Sequence, residues 1–293
     1  DATQTAAALF AGADALPRDE IELTVNGDGQ VTLHTVSHSQ GQGHETSFAM
    51  VTASALGIPV EQIKVKQGDA ERSVTMTGNH SGGSRTMVGA GTVCHIAANK
   101  LIDAGKSLAA EDLSVEPSQV NYAKGEFSSP HSKKKITLAQ LAATKKLSVV
   151  GEGTFTSTYP NGCHIAEVEI DPETGVVAIL NYVVVDDFGA TLNPLLLAGQ
   201  VHGGVVQGIG QALMEDTVFD AGSGQLLSAS LMDYALPRAA EAPEFVFETR
   251  NVPCKNNPLG VKGAGEAGVV GAMPAVMNAI ADALAEAGYP VTA

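Results

Sequence analysis

Asn257-Pro-Leu-Gly-Val-Lys-Gly-Ala-Gly-Glu-Ala-Gly268 decides how this sequence is read. Its glycines, Gly260, Gly263, Gly265 and Gly268, give a backbone able to take positive φ and to lie close against a ligand. Part of it, Gly263-Ala-Gly265-Glu-Ala-Gly268, spells G-x-G-x-x-G, a dinucleotide fingerprint that demands a preceding strand and a surrounding βαβ unit. Pro258 and Gly260 make the preceding residues a poor strand. A helix is expected from Met273 to Ala287, with Pro274 in its first turn and Gly288 at its C-cap. The sequence given stops at Ala293, leaving no room for a returning strand or for an acidic residue roughly 20 positions on. A dinucleotide-binding fold is therefore not expected. Lys262 and Glu266 are the only charged side chains in the stretch. Glu266 reads either as a helix-start charge favoured by the macrodipole or as a positioned proton acceptor.

Outward from this stretch, composition narrows the class. The 293 residues suffice for one large domain or two modest ones. A hydrophobic content of 44% with 4% aromatics and no Trp implies a core of Ala, Val, Leu and Ile. The net charge of −15 argues against nucleic acid, whose binding needs a basic face. No apolar run in the sequence reads as a membrane span, which takes roughly 20 residues. Cys94, Cys163 and Cys254 are too few for an iron–sulfur cluster, which takes four thiolates. Their odd number, without a framework, points to reduced thiols in a cytoplasmic setting.

Along the chain, Ile21–Val25 and Val31–Val36 alternate as strands around the Asn26-Gly-Asp-Gly turn. Gln40-Gly-Gln-Gly43 then opens into a helix from Phe48 to Leu56. Such a turn bares N–H groups at a helix start and reads as an anion site or as a tight turn with a polar cap. Residues 78–86 repeat the pattern with Gly82, Gly83, Ser84 and Arg85 before a helix over Val88–Leu101. Arg85 could clamp a phosphate bidentately, or be an exposed arginine paired with a surface acid. Lys133-Lys-Lys-Ile reads as a solvated turn and Leu138–Ala143 as a short helix. Val150-Gly-Glu-Gly-Thr-Phe reads as the crossing into a second half. There His164–Ile170 and Val176–Val185 are expected strands, and Asn193 to Met214 a helix at least in its second part. Its glycines cost on the order of 1 kcal/mol each against Ala and make sense if the helix lies close to a ligand or another helix. Gln200 and His202 are its polar candidates, a lone His being either a satisfied core residue or a ligand. His164, His202 and Glu266 lack metal-ligand spacing, so no protein-ligated metal is expected.

Five motifs in order carry a family resemblance: Ser39-Gln-Gly-Gln-Gly-His-Glu-Thr46, Gly82-Gly-Ser-Arg-Thr86, Val184-Val-Asp-Asp-Phe-Gly189 with Asn193-Pro194, Gly199-Gln-Val-His-Gly-Gly with Gln207-Gly-Ile-Gly210, and the stretch quoted first. The chain resembles the C-terminal half of the molybdenum-binding subunit of the xanthine oxidase family, which includes aldehyde oxidases and aerobic carbon monoxide dehydrogenases. The resemblance implies an α+β fold, with mixed sheets packed against helices. It implies two molybdopterin-binding subdomains, residues 1–150 with the loops at 39–46 and 78–86, and residues 151–293 with the glycine-rich helix at 193–214 and the strip at 257–268. It implies Glu266 as catalytic base. Gln40, Gly41, Gln42, Gly43, Gly83, Ser84, Arg85, Gln200, Lys262, Gly263 and Gly265 are implied as cofactor-binding residues. The implied cofactor is molybdenum-molybdopterin in its cytosine dinucleotide form, with the metal held by the pterin dithiolene. The implied partners are a chain carrying the missing N-terminal half, a 2Fe-2S subunit and an FAD subunit, in a dimer of heteromers. The implied activity is oxidation of an aldehyde or N-heteroaromatic with water as oxygen source. A carbon monoxide dehydrogenase-like fragment and a non-catalytic cofactor-holding scaffold are the alternatives.

Overall fold

The computed structural model describes residues 18–70, 76–78 and 80–289; Asn79 of the second glycine-rich loop lies outside them. The chain has mixed α and β structure and divides into two compact units, residues 1–158 with 254–261, and residues 159–253 with 262–293.

In the first unit, β1 (Arg18–Val25) buries Ile21, Leu23 and Val25 on alternate positions. It pairs antiparallel with β2 (Val31–Thr35), in register Val25↔Val31, across a turn closed by Asn26 N–H to Gln30 O at 2.8 Å. Helix α1 (His44–Leu56) carries the chain to β3 (Ile63–Gln67), which lies parallel to β2. A π-helical turn at Met87–Gly91 leads into α2 (Thr92–Leu113), longer than the expected helix. A small sheet of β4 (Asn121–Ala123), β5 (Glu126–Ser128) and β6 (Lys135–Thr137) follows. The expected solvated turn at Lys133–Ile136 therefore ends in a strand, with Ile136 opposite the buried Phe127. Helix α3 (Leu138–Thr144) starts on a capping box between Thr137 and Gln140.

The expected crossing at Val150–Phe155 begins within strand β7 (Leu147–Thr154), and the boundary between the two units follows at Thr158. The strand pairs with β1 along its whole length and closes the sheet order β3-β2-β1-β7. The glycines of this stretch serve packing. A Cβ on Gly151 would come within 2.7 Å of Ala97 Cβ, so α2 rests directly on the strand there.

The second unit is a three-stranded sheet, β8 (Asn161–Ile170), β9 (Val177–Asp187) and β10 (Phe245–Thr249), in order β10-β9-β8. β8 and β9 are antiparallel, and β10 runs parallel to β9. Helix α4 (Pro194–Leu213) is helical throughout, with the Asn193 side chain accepting from Leu196 N–H. Helix α5 (Ala267–Glu286) packs on α4 and on β8. Tyr182, Val184, Phe188, Val201, Val205, Ile209, Ala272 and Val276 form the buried core.

The glycines of α4 and α5 explain the contact. A Cβ on Gly204 would meet the Gly268 Cα at 3.0 Å, and one on Gly208 the Ala272 Cβ at 2.6 Å. α5 starts six residues before the expected Met273, so Pro274 sits inside it rather than in its first turn. By length and composition α5 could also cross a membrane, having 20 residues, a mean hydropathy of 1.5 and 17% of its apolar window buried. The expectation of no such run is corrected to that extent: Ala, Val and Met raise the mean, while Gly268, Ala272 and Val276 are its buried residues.

Candidate cofactor-binding and active site

In the first unit the two glycine-rich loops are tied together. Gly41 (φ 104°) and Gly43 (φ 78°) take positive φ, and Gly43 caps α1. Gln42 Nε2 donates to Ser81 Oγ at 3.1 Å and to Gln40 Oε1 at 2.9 Å. Ser81 Oγ in turn donates to His38 O at 2.8 Å. Gln42 thus serves as the strut between the loops, whereas Gln40 and Gly41 are exposed.

Gly83 and Ser84 both take positive φ, 60° and 55°. For serine that conformation costs on the order of 1 kcal/mol or more, strain that clusters at functional sites. Arg85 Nη2 lies 3.3 Å from Asp19 Oδ2, and their side chains are 13% and 4% exposed. The arginine is therefore paired, with a buried acid on β1 rather than a surface one. Gly89 makes room for that acid, since a Cβ there would lie 2.2 Å from Asp19 Oδ2. A guanidinium has five N–H donors, so the pairing leaves capacity for an anion.

In the second unit, α4 presents two glycine faces. Gly204 and Gly208 touch α5, whereas Gly199 and Gly203 face open space within 4 Å. Gln200 stands beside this bare face, half-buried. His202 is half-buried, its ring stacked on Phe245 at 5.0 Å and its Nε2 buried and without a hydrogen-bond partner.

The decisive stretch is divided in its duties. Asn257 closes a turn in the first unit, donating from Nδ2 to Val261 O at 2.9 Å and accepting from Val261 N–H at 3.1 Å, with Gly260 at φ 68°. Gly268 belongs to helix packing, since a Cβ there would lie 2.5 Å from Val201 O.

Glu266 is the N-cap residue of α5 at φ −110°, with no side-chain capping bond, and is exposed. Lys262 is held from two sides: its N–H donates to Phe188 O at 2.8 Å and its Nζ lies 2.6 Å from Asp187 Oδ2. Burial pushes the Asp187 carboxyl up, but Lys262 and the N–H groups of Val252 and Gly189 outweigh it and hold the carboxyl below its usual range. On the other side of Glu266, the α5 backbone at Gly271 lies on the His164 ring, where a Cβ would come within 2.6 Å. His164 Nδ1 is 3.0 Å from Tyr182 Oη, and its Nε2 is 3.5 Å from Asp186 Oδ2, within ion-pair reach but without hydrogen-bond geometry.

Sequence reasoning missed Asp19, Asp186 and Asp187 as partners. A signal existed for the last two: adjacent acids ending an apolar strand cannot both reach solvent, so at least one must find a cation. Among the described residues, no group of three or more His, Cys, Asp or Glu could hold a metal. An added Cβ would meet nothing within 4 Å at Gly41 and Gly83 in the first unit, nor at Gly199 and Gly203 in the second, so each unit by itself leaves backbone open to an anionic group. The residues present therefore fit such a group.

Open glycine loops at helix starts in the first unit, and an exposed helix-head carboxylate in the second, are features that suit a cofactor-binding chain. Residues 3–243 match the molybdopterin cofactor-binding domain, and the chain belongs to that family, as it occurs in molybdenum-binding subunits of the xanthine oxidase type. It is 31% identical over 284 residues to the carbon monoxide dehydrogenase large chain of Hydrogenophaga pseudoflava, covering 92% of this chain and 35% of that one. It is 33% identical over 293 residues to the nicotine 6-hydroxylase large subunit of Paenarthrobacter nicotinovorans, covering 94% and 35%. Among solved structures, quinoline 2-oxidoreductase from Pseudomonas putida 86 superimposes with a TM-score of 0.84 at 29% identity, covering 99% of this chain and 38% of that one. The chain thus spans about a third of the length of these relatives.

Proposed function

We propose that this chain is the part of a molybdenum hydroxylase that carries the catalytic base and much of the cofactor seat. The observation that carries the reading is Glu266, exposed at the head of α5 in the Gly-Ala-Gly-Glu-Ala-Gly strip. The cofactor, when bound, would supply two-electron redox chemistry with water as the oxygen source. The chain's own residues bind, orient and move a proton. Gln40, Gly41, Gly43, Gly83, Ser84 and Arg85 of the first unit offer N–H groups and a cation to phosphates and pterin. Gln42 fixes the shape of those loops. In the second unit Gln200 presents an amide, donor and acceptor at once, and Lys262, Gly263 and Gly265 flank Glu266. Glu266 accepts the proton of the attacking hydroxyl, the task of a general base.

The substrate class we assign is a small aldehyde or N-heteroaromatic, and the cofactor form is the cytosine dinucleotide. Electrons leave through 2Fe-2S and FAD subunits, in a cytoplasmic dimer of heteromers. The polypeptide that supplies the remaining two-thirds of the relatives' length covers the apolar surface left bare here, including Val270 and Met277 of α5 and Ile165 and Val246 on the outer face of the sheet. The test is Glu266→Gln in the assembled complex, with dye reduction by benzaldehyde and by quinoline as probes. Molybdenum content should hold while turnover falls about 100-fold or more. Full turnover in a molybdenum-replete variant would overturn the assignment.

A further inference from the structure

After Glu266, α5 is fixed by its packing on α4 and on the His164 ring. Before it, the strip from Lys262 is held by the end of β9. The Asp187 carboxylate divides its work by oxygen: Oδ1 accepts from Gly189 N–H at 2.8 Å and from Val252 N–H at 2.9 Å, while Oδ2 faces Lys262 Nζ at 2.6 Å. Both partners of the ion pair are nearly buried, at 11% for Lys262 and 10% for Asp187. A charge-assisted contact out of water is stronger than a surface pair and resists screening.

We propose that Asp187 is a positioning residue: it anchors Lys262 and thereby sets where the Lys262–Glu266 strip places the Glu266 carboxylate. The inference rests on the reading of Glu266 as base, and deepens it. Its neighbour Asp186 faces the opposite side of β9 and approaches His164 beneath α5. Two consecutive residues of one strand therefore reach the polypeptide on either side of Glu266, four residues before it through Lys262 and five after it through Gly271. Misplacing a catalytic group by about 1 Å is enough to cost on the order of 100-fold in rate.

The split between oxygens makes Asp187→Asn a selective probe. An asparagine can leave its carbonyl oxygen at the Oδ1 position, serving Gly189 and Val252, while an NH2 group replaces only the oxygen that faces Lys262. The experiment is hydrogen exchange read by mass spectrometry on peptides covering 261–268, in the complex purified with its partners. Asp187→Asn should speed exchange of that strip about tenfold or more and leave β8, β9 and α4 within about twofold. Lys262→Met should do the same, and the double variant no more than either single one. At equal molybdenum content, kcat for the aldehyde or heterocycle probe should drop more than tenfold with KM little changed. Unchanged strip exchange, or loosening spread evenly over the second unit, would overturn the proposal, as would a loosened strip with full kcat. Glu266→Gln is the control for the underlying reading. If it keeps full turnover, the base assignment fails, while the exchange data alone still decide whether Asp187 anchors the strip.

Discussion

Gly203 and Gly204 are adjacent on α4, yet alanine at the two positions should shift stability in opposite directions. A Cβ on Gly203 meets nothing within 4 Å. Replacing a mid-helix glycine there removes backbone freedom from the unfolded chain and stabilises by about 1 kcal/mol. A Cβ on Gly204 meets the Gly268 Cα and Val269 N at 3.0 Å. Those are backbone atoms of α5 and cannot rotate away, so the helices must part. Overpacking of this kind costs about 1–3 kcal/mol, which exceeds the propensity gain and leaves a net loss of about 1 kcal/mol. The two variants should therefore differ by about 2 kcal/mol, or on the order of 4–8 °C in Tm at this chain length. Thermal unfolding followed by far-ultraviolet circular dichroism in the complex purified without molybdenum would measure it, since cofactor binding then adds nothing to either variant. Equal signs, or a Gly204→Ala variant more stable than the parent, would refute the packing argument. The stabilised Gly203→Ala variant should nonetheless lose molybdenum on dialysis, because its methyl group enters the bare face assigned to the cofactor.

Arg85→Ala removes the cation from the buried Asp19 carboxylate, so it should destabilise by about 3 kcal/mol as well as lower molybdenum retention. Adding Asp19→Asn should restore much of the stability but not the molybdenum; metal analysis after gel filtration tests both halves. Gln200→Ala should lower retention without a matching loss of stability, and stoichiometric molybdenum after dialysis would make Gln200 a structural residue only. The carboxyl of Asp187 is held below its usual range, so its contribution is present above about pH 4, where the unfolded group is ionised, and is lost as pH falls through the lower folded value. An acid titration of unfolding should show the parent and Asp187→Asn converging in that window, and a constant difference down to low pH would contradict it. Expressed alone, these 293 residues should self-associate and hold no molybdopterin, and a soluble, metal-loaded monomer would refute the reading that part of the seat lies outside them.

Much of the local structure was legible because short-range patterning fixes it. The alternation of Ile21, Leu23 and Val25 and the turn at Asn26 to Gly29 marked β1 and β2 without knowledge of their surroundings. What stayed hidden depends on residues far apart in the chain. Arg85 and Asp19 lie 66 positions apart, and Lys262 and Asp187 lie 75 apart; no periodicity links either pair. Glycine was ambiguous for a related reason. The same residue type marks a strand pressed on a helix at Gly151, a helix crossing at Gly268 and open space at Gly83, and only the neighbours tell these apart. The start of α5 was missed because Gly265 to Gly268 reads as a loop until α4 is seen to demand it.

The strut formed by Gln42 and Ser81 has a consequence for how this surface can change. The loops it joins are separated by α1 and β3, but the 3.1 Å contact makes them one mechanical part. A transplant of the Gln40–Gly43 segment into a relative without a hydroxyl at the Ser81 position would bring in an amide with nothing to meet. A transplant of the Ser81–Arg85 segment into a relative without an amide at the Gln42 position would bring in a hydroxyl with nothing to meet. The two stretches should therefore be exchanged as a set, and a chimera that swaps only one should lose the geometry of both.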